Sequence, residues 1–402
     1  MKTIAIYCPM LTGGGAEKVA GMVSMALEPY VDKVYFFLLY KRKITYEYSG
    51  ELVCFDFDRI DEKYSRYGRI VTFLRKALAY LHLPKRMQKT KRELGIDCTI
   101  SFLDFPSVIN ILSRAEDKIV VSVRSPKSPQ KQKDSGIAEK LRVFIYHTML
   151  RRYLNKADVV VPASYGIGED MTVNFGVATE KIRVIYNFLN KEKINEIKSE
   201  VIEPEYRNFF DNHFTYLSVG RLGKEKNPES ILHSFAEISR ENADARLVFV
   251  GDGVLRGRLA EAAEQMGIQD KVLFIPYTSN PYKYMANSNV LVTNSLYEGF
   301  PNVLIEAMCC GCPPVSVDCY TGPREIIGDI TTYETTIGGV RAFPRGILFE
   351  RGKLSDAMKY ALENREELRK MAECAKLYAE QYSNEAIVRQ WVECVGGVSV
   401  EK

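Results

Sequence analysis

Short apolar runs rich in β-branched and aromatic residues alternate with amphipathic stretches of helical length along the whole chain, and near its middle the alternation stops and begins again. A strand, a helix-length crossover and a further strand make a parallel pair whose faces are covered by helices. The expected strands of the first half are 3–8, 33–39, 97–102, 119–123 and 158–162, with a further short run at 183–186 that leads to Asn187. Those of the second half are 214–219, 245–250, 272–275, 290–293 and 314–317. Polarity rises through 191–204, as in a connection between domains. The pattern therefore predicts two doubly wound α/β domains, 1–190 and 205–383, joined by a linker at 191–204. A terminal helix within 384–402 carries Trp391, the only tryptophan, and is free to cross back to the first domain.

A length of 402 residues suits two such cores. No stretch reaches the roughly 20 apolar residues that span a bilayer. The start, Met1-Lys2-Thr3-Ile4-Ala5-Ile6-Tyr7, runs straight into a strand pattern without the layout of a signal peptide, so the expectation is a cytoplasmic protein. The nine cysteines have no paired spacing, which fits a reducing compartment. Cys309, Cys310 and Cys312 cluster at an apolar helix end with no histidine beside them, and read as small buried hydrophobes before they read as a metal site. A net charge of +4 does not call for a nucleic-acid partner.

In an open parallel sheet ligands bind beyond the carboxyl ends of the strands, where loops enter helix N-termini, and that rule selects few places here. Thr12-Gly13-Gly14-Gly15-Ala16-Glu17 follows the first strand and opens a helix. Its glycines let backbone N–H groups approach an anion, although a tight strand-to-helix turn also wants glycine. The spacing is not Gly-x-Gly-x-x-Gly, and the second strand ends in Tyr40-Lys41-Arg42-Lys43 where a ribose-binding acid would stand, so a dinucleotide site is not indicated. Nor is there the Gly-Lys-Ser/Thr ending of a nucleotide-triphosphate loop.

The second place is Gly220-Arg221-Leu222-Gly223-Lys224-Glu225-Lys226-Asn227-Pro228, with Pro228 suited to the first helical position. Arg221 and Lys226 would neutralise a diphosphate and stabilise it as it departs, or form a solvated basic turn. The third is the run from Ser295 to Met308, in which Glu298 precedes a Gly299-Phe300-Pro301 turn and Glu306 lies on the helix that Pro301 starts and Gly311 ends. Glu306 is the only charge in an otherwise apolar helix, and a pair of ribose hydroxyls would satisfy it. The amides of Asn302 and Val303 would point toward phosphate.

Taken together, these residues resemble the GT-B glycosyltransferases, and among them the retaining family 4 enzymes that build bacterial polysaccharides and lipid-linked oligosaccharides. The resemblance covers nearly the whole chain. It runs through Gly-Gly-Ala-Glu after the first strand, Val-Gly-Arg-Leu and Lys-Asn after the linker, Gly251-Asp252-Gly253, Glu298-Gly299-Phe300-Pro301 to Glu306-Ala307-Met308, and Gly322-Pro323-x-Glu325-Ile326-Ile327. It implies the GT-B architecture, two doubly wound Rossmann-like domains facing across a cleft, with the nucleotide-sugar on the second. By resemblance Arg221 and Lys226 hold the diphosphate, Glu306 the ribose and Glu298 the hydroxyls of the transferred sugar. Gly299, Phe300, Pro301 and Asn302 line the sugar and phosphate pocket, Gly14 and Gly15 close on the diphosphate, and the base lies near Ile275-Pro276-Tyr277. Arg221, Lys226 and Glu298 would be the catalytic set, with no metal and no cofactor. UDP is the commonest carrier in the family.

Many members of that family have a histidine where this chain has Arg124-Ser125-Pro126. Arginine stays protonated and is no general base, so Arg124 is expected to orient acceptor or phosphate. The resemblance then favours same-face transfer, with the departing phosphate taking the acceptor proton. The acceptor it implies is a saccharide, of the polyprenyl-diphosphate-linked kind. The cations and bulky apolar residues of Arg66-Tyr67-Gly68-Arg69, Phe73-Leu74-Arg75-Lys76, Lys85-Arg86, Lys89 and Lys91-Arg92 suit an anionic membrane surface, and equally the face of a soluble helix. A second cationic stretch holds Lys127, Lys131, Lys133, Lys140, Arg142, Arg151 and Arg152. Two kinds of rival remain open: a nucleotide-sugar epimerase or phosphorolytic enzyme on the same architecture, and a non-catalytic protein that binds sugar-nucleotide or glycan.

Overall fold

The computed structural model describes residues 2–41, 44–58, 69–128, 137–332 and 337–396, with only the backbone course at 69–74, 137–143 and 384. Arg42, Lys43, Arg66, Tyr67, Gly68, Lys131 and Lys133, and the side chains of Arg69, Phe73, Leu74, Lys140 and Arg142, lie outside the described residues. The chain divides into two compact units, Met1–Asn187 with Glu385–Lys402, and Phe188–Asn384.

Among the described residues the first unit holds six strands, β1 (Thr3–Tyr7), β2 (Lys33–Leu38), β3 (Glu51–Cys54), β4 (Cys98–Phe102), β5 (Lys118–Val123) and β6 (Val159–Pro162). They lie in the order β3-β2-β1-β4-β5-β6, and every neighbouring pair is parallel. The β-branched and aromatic runs form strands because helices cover both faces of the sheet, and β4 is buried at every position. Ala5, Tyr7, Phe37, Phe57, Leu83 and Met87 pack one core cluster. β3 is absent from the sequence expectation, since it is four residues long, opens on the exposed Glu51 and is only half-buried. The 183–186 run is not a strand. Ile182 alone bridges Val160, and the amides of Arg183 and Ile185 donate to Val160 and Pro162 carbonyls along the edge of β6.

Among its described residues the second unit has seven strands, β7 (Phe214–Val219), β8 (Ala245–Val250), β9 (Val272–Ile275), β10 (Val290–Thr293), β11 (Pro314–Val317), β12 (Val340–Phe343) and β13 (Gly346–Phe349). Their order is β12-β13-β11-β10-β7-β8-β9, parallel except for the β12–β13 hairpin. Pro344 and Arg345 interrupt the apolar run that makes this hairpin, which is why its two strands do not stand out in the sequence. In each sheet the connections run outward in both directions from a central pair, β1 with β4 and β7 with β10. Such a reversal of strand order opens a crevice at the carboxyl ends of the central strands. The 191–204 segment is not bare linker: Lys191–Ile197 is a helix, with Ile194 buried in the second unit.

The Asn384–Val395 helix brings Trp391, 1% exposed, into the first unit. Among the described residues no helix is long and apolar enough to cross a membrane.

Two of the cations read as surface charges are not on the surface. Lys91 is 1% exposed, and its Nζ donates to Asp117 Oδ2 at 2.8 Å and Asn110 Oδ1 at 2.7 Å, while Thr99 Oγ1 donates to the same Asp117 oxygen at 2.7 Å. Burial pulls the Lys91 pKa down, against the attraction of Asp117. Lys127 is 9% exposed at its side chain and pairs with Asp104 at 2.8 Å. A lysine that finds a carboxylate inside the fold leaves the basic face, and spacing along a helix does not reveal such a partner.

Breaking a buried pair on one side strands the other charge. Lys91→Met is therefore expected to destabilise the first unit by about 3–5 kcal/mol. Lys91→Met with Asp117→Leu should recover much of that loss, both read from urea unfolding followed by circular dichroism.

Candidate functional site

The crevice rule points, in the second unit, to the loops that leave β7 and β10. The loop after β7 runs from Gly220 to Asn227, includes a tight turn at Lys224–Lys226, and ends with Asn227 in a left-handed conformation, φ 51°, capping the Pro228–Glu241 helix. Pro228 occupies the first helical position as its missing N–H favours. The loop is laced to the one after β8. Leu222 N–H donates to Asp252 O at 2.9 Å, Leu255 N–H to Leu222 O at 3.1 Å and Gly220 N–H to Val250 O at 2.9 Å. Gly251 has φ 139°, and a Cβ there would collide with the Gly220 carbonyl, so the Gly-Asp-Gly turn is what lets the two loops touch.

Arg221 reaches out from this loop. Its side chain is 66% exposed, and Nε donates to Glu225 Oε1 at 2.9 Å. Lys226 instead reaches across to the loop after β10, where Nζ meets Glu298 Oε1 at 2.6 Å with the carboxylate only 13% exposed. The amide of Leu296 donates to Glu225 O at 2.8 Å, a second tie between the same loops. The structure thus brings Arg221, Lys226, Glu225 and Glu298 together at the point where the strand order reverses.

The turn after Glu298 is held from a third loop. Thr321 Oγ1 donates to the Glu298 carbonyl, and Gly322 N–H donates to Gly299 O at 2.8 Å. A Cβ on Gly322 would sit 2.5 Å from the Gly299 carbonyl oxygen, so the Gly-Pro-x-Glu run begins with glycine for want of space. Arg324 anchors that run. Its Nε and Nη2 bind Asp318 Oδ1 at 3.0 Å and Oδ2 at 2.7 Å, both side chains 1% exposed, and Nη1 donates to Thr332 O at 2.8 Å.

Pro301 caps the Asn302–Cys310 helix, so helix begins one residue later than the sequence suggests, and Gly311 closes it at φ 78°. Asn302 and Val303 form its half-buried first turn. Phe300 is 5% exposed and packs edge-on against Tyr382 at 5.5 Å, so its ring belongs to the core beneath the turn. Glu306 is 7% exposed, and Tyr282 Oη donates to its Oε1 at 3.4 Å. Tyr282 was invisible to spacing arguments because it comes from a separate short helix, Tyr282–Ala286. Ile275 ends β9 buried at 2%, while Tyr277 in the following loop is 70% exposed.

Cys309, Cys310 and Cys312 are buried at the far end of the Glu306 helix, and burial pushes the Cys310 thiol up to about 12. They pack as small apolar groups.

Three of the sequence-selected residues lie in the first unit. Gly14 is the extended N-cap of the Gly15–Leu27 helix, and the Glu17 carboxylate fills the space a Gly14 side chain would need. Glu17 is thus placed as the third-position acid of a capping arrangement. Arg124 follows β5, where Nε donates to Ser122 Oγ at 2.5 Å and Nη1 to Asn187 Oδ1 at 2.9 Å. Burial pulls its pKa down to about 9. The loop it opens is pinned by Asp170, 0% exposed, whose Oδ2 accepts the Lys127 amide at 2.7 Å.

With this geometry in place, the chain can be set beside known proteins. Residues 202–378 match the family model described as glycosyl transferases group 1. Over 341 residues, 82% of this chain and 84% of the relative, it is 29% identical to the N-acetylgalactosamine-N,N'-diacetylbacillosaminyl-diphospho-undecaprenol 4-alpha-N-acetylgalactosaminyltransferase of Campylobacter jejuni. Among solved structures it is similar to HepE of Anabaena in complex with UDP and glucose, with a TM-score of 0.70, 17% identity and coverage of 98% of this chain and 100% of the other. It is also similar to sucrose-phosphate synthase from Thermosynechococcus elongatus, with a TM-score of 0.72, 18% identity and 98% of both chains covered.

Proposed function

We propose that this chain, a glycosyltransferase of the GT-B fold, moves a hexose or N-acetylhexosamine from a UDP-sugar to a saccharide acceptor with retention of configuration. The observation that carries the reading is the Lys226–Glu298 contact at 2.6 Å, made where the second sheet's strand order reverses. A cation and a carboxylate held side by side there suit the two halves of a sugar diphosphate, one anionic and one rich in hydroxyls.

In this reading Arg221, Lys226 and the amides of Asn302 and Val303 hold the diphosphate, Glu306 binds the ribose and Glu298 positions the sugar. The base rests against Ile275 and Tyr277. Gly299 and Pro301 shape the turn on which the sugar sits. To reach the phosphates Arg221 leaves Glu225, at a cost of about 0–1 kcal/mol for so exposed a pair. The bond between the anomeric carbon and the phosphate oxygen breaks as the acceptor oxygen bonds to that carbon from the same face. The acceptor's proton goes to the departing phosphate oxygen. Side-chain cations and helix amides stabilise the charge left on the diphosphate, with neither a divalent ion nor a cofactor taking part. Gly14 and Gly15 are proposed to add backbone donors, and Arg124 to orient the acceptor.

The lipid-linked character of the acceptor is supported by the Campylobacter relative, whose name specifies a diphospho-undecaprenol-linked saccharide. Exposed Leu78, Leu81, Phe144 and Ile145, with Arg86 and Lys89 also exposed, support peripheral docking on the anionic inner face of the plasma membrane.

Purified protein given UDP-sugars and lipid-linked or free saccharides is expected to form glycoside in the presence of chelator. Magnesium- or manganese-dependent turnover would refute the metal-free mechanism. Glu306→Ala should raise the donor KM about tenfold with little change in kcat, whereas Arg221→Ala should lower kcat about a hundredfold. Flotation with liposomes containing anionic lipid should recover the intact protein, and Arg86→Glu with Lys89→Glu should reduce the recovered fraction. Failure of the intact protein to float sinks the membrane proposal alone.

A further inference from the structure

Among the described residues Arg124 is a cation without a counter-charge. Two of its nitrogens are committed, Nε to Ser122 Oγ at 2.5 Å and Nη1 to Asn187 Oδ1 at 2.9 Å and Ile185 O at 3.3 Å, and none of these acceptors is ionised. Among the described residues its Nη2 has no hydrogen-bond partner, and it is shielded from solvent. No carboxylate pairs with it among the described residues. What the guanidinium has instead is aromatic: it lies 5.3 Å from the ring centroid of Trp391 and 5.6 Å from that of Phe102, and the two rings are 6.3 Å apart.

The two rings come from different places in the chain. Phe102 ends β4, next to β5 in the sheet, and is part of the ordinary core. Trp391 arrives on the Asn384–Val395 helix, after the chain has completed the second unit. Trp391 is 1% exposed, yet its Nε1 has no hydrogen-bond partner among the described residues. A buried tryptophan usually satisfies its N–H, and a residue serving only as apolar filler would be better as phenylalanine or leucine. The ring face, which tryptophan offers more strongly to a cation than any other side chain, is the part in use.

We propose that Trp391 is a positioning residue for glycosyl transfer: with Phe102 it forms an aromatic seat that holds the Arg124 guanidinium with Nη2 uncommitted, for an oxygen of the acceptor. The C-terminal helix is then a working part of the first unit. The inference rests on the reading of Arg124 as the acceptor-side cation, and it adds the residue that holds it there.

The test uses Trp391→Phe, which keeps a ring face, Trp391→Leu, which keeps apolar volume without one, and Arg124→Gln. In urea unfolding, a cycle of Trp391→Leu, Arg124→Gln and the double variant should show coupling of about threefold or more in the unfolding equilibrium constant. Additive effects would overturn the seat. In initial-rate assays Trp391→Leu should lower kcat/KM for the acceptor about tenfold, with donor KM and donor hydrolysis unchanged, and Trp391→Phe should stay within about threefold of wild type. Equal losses toward donor and acceptor, or a Phe variant as impaired as the Leu variant, would reduce Trp391 to packing and overturn the proposal. Absence of transfer in the wild type would sink the functional reading, while the unfolding cycle still judges the aromatic seat.

Discussion

Parallel pairing governs the arrangement of this protein. A strand that pairs in parallel with its predecessor must be reached by a crossover, so the loops leaving the carboxyl ends of β7, β8, β10 and β11 all emerge on one edge of their sheet. On that edge the loops support one another by backbone hydrogen bonds, Leu222 with Asp252, Leu296 with Glu225 and Gly322 with Gly299. The side chains they carry are therefore fixed relative to each other although they are far apart in the chain. The Lys226–Glu298 contact, across 72 positions of sequence, is a consequence of that convergence.

Buried ionisable groups mark where the fold accepts a cost in exchange for a defined arrangement. Arg324 and Asp318 satisfy each other through two hydrogen bonds and fix the loop under the Glu298 turn. Lys91, Asp117, Asn110 and Thr99 form a closed set inside the first unit. Arg124 is of another kind. Its acceptors are neutral, and it rests against ring faces. A charge that a fold buries with less than full compensation is one whose compensation a ligand can complete. Arg124 is the residue to which the proposed reaction gives the acceptor.

Much of this was legible beforehand, for identifiable reasons. Ten strands stood out because a strand buried on both faces must be apolar along its whole length, and the turn residues between them are constrained in the same strict way: Pro228 at a helix start, Gly311 at a helix end. The strands that escaped notice, β3, β12 and β13, are short or interrupted by proline and charge, and β3 and β12 are only partly buried. Lys91 and Lys127 were misplaced for a different reason. A lysine's spacing on a helix or loop says nothing about a carboxylate waiting elsewhere, and both turned out to be paired with aspartates inside the first unit.

By itself, then, the sequence determined what depends on local chemistry: the periods of strand and helix, the caps, the renewal of the pattern after residue 190, and the residue types in each loop. Tertiary structure alone decided which of those loops meet. It set Lys226 on Glu298, supplied Tyr282 to Glu306, and returned Trp391 from the end of the chain to lie against Arg124. The reason is that hydrogen bonds and ring contacts act over a few ångströms of space, and separation along the chain carries no record of that distance.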